Sequence, residues 1–136
     1  MTNDEISLRV AQCLGIANRS HLEADYEEGN TPDGQDGWNG FYCPRCGCDE
    51  SSFELNGCYP HYPTDPVSTL SLIHEAEKLD VGFSLYNIKS LETGEITYEA
   101  IFYDPWGGPQ CHEYKASDSH KLVAIDLAFI AMMDDR

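Results

Sequence analysis

The sequence predicts an α+β domain in which helices pack on a small antiparallel sheet. The stretch from Asp65 to Met133 switches periodicity in the order helix, hairpin, third strand, helix. The hairpin strands carry apolar residues on both registers: Phe83 and Leu85 but also Tyr86 and Ile88, then Tyr98, Ala100 and Phe102 but also Ile101 and Tyr103. Both sheet faces are therefore expected to be covered, at least in part. Finally, 136 residues are enough to bury one ordinary core, which predicts a single domain over residues 1–136.

Residues 3 to 14 read as a short helix. Asn3 or Asp4 can cap it, and Glu5 suits the positive end of its dipole. Ile6, Val10, Cys13 and Leu14 recur at helical steps, and Gly15 is a natural stop. Cys13 on that face reads as a small buried hydrophobe. Residues 20–40 mix Glu23, Asp25, Glu27, Glu28, Asp33 and Asp36 with four glycines, which predicts an acidic loop. The run Asp33 to Asn39 offers oxygen ligands but lacks the spacing and closing Glu of an EF-hand loop. Trp38 and Phe41 are expected to begin a strand.

Residues 43–61 carry the clearest chemistry. Cys43 and Cys46 are spaced as in a zinc knuckle, with Pro44 stiffening the turn and Gly47 permitting a positive φ. Ser52 to Leu55 can form a strand, and Asn56-Gly57 a turn. Cys58 and His61 then complete Cys-x2-Cys-x11-Cys-x2-His. Four such ligands would close a tetrahedral structural zinc site with no open position. Cys48 competes with His61 as the fourth ligand. His61 is preferred because Cys48 follows Cys46 by only two residues.

The regular part begins at Asp65, an N-cap before Pro66 at the first helical position. Val67, Leu70, Ile73, Ala76 and Leu79 are expected on the buried face. His74-Glu75 starts like HExxH, but Lys78 stands where the second His should be, so both read as surface residues. Gly82 ends the segment. Phe83–Lys89 and Ile96–Tyr103 form a hairpin turning at Thr93-Gly94, and Gln110–Tyr114 is a third strand. Cys111 and His112 are adjacent in it and point to opposite faces, which disfavours joint chelation. Ser117 is expected to cap the last helix with Asp118 in its first turn. Leu122, Ile125, Phe129 and Met132 share one stripe, widened by Val123, Leu127 and Ile130. That width suits a helix lying between the sheet and another element.

The element order, with the segments VAQCLG, YPTDPVSTLSLIHEAEKL, FSLYNI, YEAIFYDP and SHKLVAIDLAFIAM, resembles small phage- and prophage-encoded proteins with the phage ABA sandwich domain. The likeness covers roughly residues 4–16 and 60–133. It implies an α/β/α layered sandwich on an antiparallel sheet, a phage origin and hence a host cytoplasm. It implies no enzyme activity and carries over no functional residue. The knuckle over residues 43–61 departs from that pattern and reads as an insertion.

Charge narrows the function classes. The chain has 24 acidic and 8 basic residues, a formal charge of −16. That argues against binding to nucleic acid, which requires clustered cations, and against anionic membranes. No basic segment followed by an apolar run opens the chain, so a reducing cytoplasm is expected and cysteines should serve as ligands or buried thiols. The reading that follows is a small phage accessory protein that acts by binding a host protein, a defence component or a small molecule, with structural zinc. One alternative is an acidic mimic of nucleic acid. Another is an enzyme drawing on Glu75, Glu77, Glu99 and Asp104, with His74 or His112 as base. No motif pairs these groups.

Overall fold

The computed structural model describes residues 1–17, 58–105 and 112–136 in full, and the backbone of 27–29 and 40–42. These residues form a mixed α+β fold with three α-helices and an open three-stranded antiparallel sheet. Helix α1 spans Asn3–Cys13. Its cap is Thr2 rather than Asn3 or Asp4, with the Thr2 hydroxyl accepting from the Glu5 N–H at 3.2 Å. Gly15, at φ +74°, ends it as expected. Strands β1 (Glu27–Gly29) and β2 (Gly40–Tyr42) pair antiparallel, with Glu28 opposite Phe41. Phe41 is thus in a strand as anticipated, and the acidic stretch contains backbone pairing that the composition alone did not suggest.

A 3-10 turn over Tyr62–Thr64 leads into α2, Pro66–Glu77. Asp65 caps α2 as expected, accepting from the Ser68 hydroxyl at 2.6 Å and its N–H at 3.4 Å. The buried face differs from the expected one. Thr69, Leu72 and Ala76 are buried, whereas Val67, Leu70 and Leu79 are exposed. The expected and observed stripes lie side by side on the helix and share Ala76 and the half-buried Ile73. After α2 the chain turns through Asp80, a non-glycine residue at φ +59°.

Strands β3 (Gly82–Lys89), β4 (Ile96–Asp104) and β5 (His112–Asp118) follow, in spatial order β3-β4-β5. Among the described residues β3 and β5 are therefore the sheet edges. Gly94 at φ +73° makes the β3–β4 turn, within the expected Thr93-Gly94. Strand β5 reaches Asp118, and its ladder pairs Glu99 with Ser117 and Tyr98 with Asp118. Ser117 consequently does not cap the last helix. Helix α3 (Lys121–Asp135) instead has His120 at its N-cap with no side-chain cap bond. Asp118 accepts from the His120 N–H at 2.8 Å.

The inward sheet face aligns Phe83, Phe102 and Tyr114 in one row and Leu85, Ala100 and Ala116 in the next. All belong to the same apolar cluster as α1, α2 and α3. Phe102 sits at its centre, 5.0 Å from the Phe83 ring and 5.8 Å from Phe129. As its wide apolar surface predicts, α3 lies between elements, touching β4 and β5, α1 and α2. The Arg9 guanidinium grips both Asp134 oxygens at 2.7 Å, joining α1 to the end of α3. The opposite sheet face carries Tyr86, Ile88, Ile101 and Tyr103, none of which joins that cluster. The expected covering of both faces is thus not met among the described residues: helices pack on one face only.

Candidate functional site

The expected structural zinc is overturned. Among the described residues, no group of three or more His, Cys, Asp or Glu side chains could hold a metal ion. Of the four expected ligands, Cys43 and Cys46 lie outside the described residues, as does Cys48. Cys58 is buried, but His61, three residues on, is exposed. His61 serves the fold through its backbone, where its carbonyl accepts from the Thr64 N–H at 3.0 Å and hydroxyl at 3.2 Å. Cys58 and His61 thus lie in unlike surroundings, and among the described residues no third ligand stands with them.

The candidate catalytic groups are spread over the molecule. His74, Glu75 and Glu77 stand on the outer side of α2, where Glu75 pairs with Lys78 at 2.9 Å and Glu77 lies 3.5 Å from His74. Glu99 belongs to the outer face of the sheet. Asp104 and His112 are cross-strand partners, and Asp104 also meets Arg136 at 3.3 Å. His112 stacks near Tyr114, with ring centroids 6.3 Å apart.

Two features stand out that residue types alone did not single out. The first is an open apolar surface built by the β3–β4 hairpin. The strand alternation puts Tyr86, Ile88, Ile101 and Tyr103 on the outward face. Tyr86 is 54% exposed and Ile88 51%. Past the edge of the helix layer, Leu91 in the turn and Ile96 at the start of β4 are exposed as well. Beside them, Leu85, Tyr86, Asn87, Tyr98 and Lys121 line a cleft of about 270 Å³. The Lys121 ammonium lies 5.9 Å from the centre of the Tyr98 ring. The charges on the open face are Glu99, Glu113 and Lys115, and Lys115 pairs with Glu113 at 3.1 Å. The hydrogen bond to Glu113 holds the Lys115 ammonium above its usual range. The apolar doubling of the hairpin strands was visible in the sequence. On the outward face Tyr86 and Ile88 are exposed and Ile101 is half-buried, and among the described residues no helix covers them.

The second feature is a buried acid, Asp126, in the middle of α3. Its Oδ1 lies 2.7 Å from the Thr69 hydroxyl of α2. Its only signal in the sequence is a lone carboxylate within LVAIDLAFIAM.

Among the described residues no helix is long and apolar enough to cross a membrane. The chain matches no family model, no curated protein and no solved structure.

Proposed function

We propose that this protein acts by occupancy, docking a protein partner on the outward face and tip of the β3–β4 hairpin. The observation that carries the reading is exposed Tyr86 and Ile88 on a sheet face without a described helix, continued at the hairpin tip by exposed Leu91 in the turn and Ile96 at the start of β4. Tyrosine with aliphatic neighbours on a rigid sheet supplies contact area at little entropic cost, as protein interfaces use it. The formal charge of −16 selects a partner whose docking patch has a basic rim and an apolar centre. The likeness to phage ABA sandwich proteins favours an accessory role in an infected host, with a host protein or defence component as target.

The test compares the wild-type chain with Y86S/I88S in pull-downs from host lysate at low and high salt. Circular dichroism verifies that the variant is folded. The expected result is a partner retained by wild type at low salt, weakened by salt and lost by the variant. Equal capture by both chains would move the interface elsewhere, and no capture at low salt would end the binding reading.

A further inference from the structure

Helix α3 places Asp126 where every other inward side chain is apolar or small. The Thr69 hydroxyl oxygen is 2.7 Å from Asp126 Oδ1 and 2.6 Å from the Tyr62 carbonyl oxygen. A threonine hydroxyl has one hydrogen to give. If it goes to the carboxylate, the Tyr62 carbonyl faces bare lone pairs at 2.6 Å. If it goes to the carbonyl, an ionised Asp126 faces them at 2.7 Å. One more proton removes the conflict: the Asp126 carboxyl donates to Thr69, and Thr69 donates to Tyr62. Asp126 Oδ2 is buried with no hydrogen-bond partner among the described residues. That is costly for a carboxylate and mild for the carbonyl oxygen of a neutral acid.

We infer that Asp126 is a proton-binding site at the α2–α3 contact, filled in the folded state, whose proton completes a relay through Thr69 to the Tyr62 carbonyl. Among the described residues no cation is placed to substitute for that proton. On α1, Asp4, Glu5 and Arg9 are exposed or half-buried, and Arg9 is committed to Asp134. On α2, Asp65, His74, Glu75, Glu77 and Lys78 are exposed or half-buried, as is His61 before the 3-10 turn. On the sheet, Tyr98 and Tyr114 are half-buried, and Asp104 meets Arg136. On α3 itself, Lys121, Asp134 and Asp135 are exposed at its two ends. Burial pushes the Asp126 carboxyl up to about 7; the Thr69 hydroxyl opposes this only where it turns to donate to the ionised form. The site is filled below that value and empties as the pH rises through it, and emptying loosens the hold of the Tyr62–Thr64 turn and α2 on α3.

The experiment follows the Asp126 carboxyl carbon by NMR in the intact chain from about pH 4 to about pH 9, alongside urea unfolding of wild type, D126N and T69V. Asparagine supplies a permanent donor to Thr69. The expected result is a carboxyl that titrates near neutrality, and a wild-type urea midpoint that falls as the pH rises while that of D126N lacks this fall. T69V should shift the carboxyl titration. A carboxyl titrating near 4, among the exposed aspartates, overturns the inference, as does a D126N profile parallel to wild type. Should D126N fail to fold, the wild-type titration alone decides.

Discussion

Asp126 and Phe102 set the energetics at the scale of single residues. The folded value for Asp126, about 7, lies above its unfolded value of 3.8, so the proton favours the fold. Its contribution is complete below about pH 4 and is lost as the pH rises through about 7. A rise of that size in the carboxyl's value corresponds to about 4 kcal/mol, a large share of the stability of a small domain. Thr69→Val strips the relay of its middle member, so the buried acid loses its hydroxyl partner and the Tyr62 carbonyl keeps the Asp65 N–H at 3.3 Å but loses the Thr69 hydroxyl. It should cost about 1–3 kcal/mol in urea unfolding. Phe102 is fully buried between Phe83 and Phe129. Phe102→Ala should lower stability by about 3–5 kcal/mol, checked by the same unfolding curves. The Asp126–Thr69 pair was illegible in the sequence for a plain reason. The partners stand 57 positions apart, and neither local periodicity nor spacing encodes a contact between two helices.

The two phases of α2 make a sharper contrast at the scale of elements. Leu72→Ala should cost about 2–5 kcal/mol because Leu72 is fully buried. Leu70→Ala should stay within about 0.5 kcal/mol because Leu70 is half in water. Equal effects would mean that the helix is rotated from its observed setting. Asp65→Ala removes the cap and should cost about 1 kcal/mol, seen as a lower melting temperature. Element types were legible here because helix and strand periods differ so strongly, and the caps Asp65 and Gly15 lie where their chemistry requires. Facing was less legible. Val67 and Leu70 form an apolar stripe as good as the true one, and only Thr69, buried by its bond to Asp126, breaks the tie. The start of α3 was misplaced for a similar reason. Ser117 and Asp118 look like a cap, but cross-strand pairing with Glu99 and Tyr98 outweighs that local preference. The cysteine spacing likewise pointed to a metal because chelate pairs are recognised by interval alone. Interval says nothing of whether Cys58 and His61 share an environment.

For the whole molecule, a charge of −16 repels itself. Raising sodium chloride from about 0.05 M to about 0.5 M should raise the urea midpoint, since screening relieves repulsion among carboxylates. The exposed ion pairs, such as Lys78 with Glu75, oppose this only weakly. A fall in the midpoint would mean that these pairs outweigh the general repulsion. The same screening acts on the rims of the sheet. Among the described residues strands β3 and β5 each pair on one side only, and the row of backbone groups along the outer side of each has no strand partner there. In dilute, low-salt solution the like charge of two molecules holds such rows apart. Concentrated samples in high salt lose that protection, and light scattering should then report filaments growing strand upon strand. The brine that steadies one copy is therefore the medium in which many copies knit together.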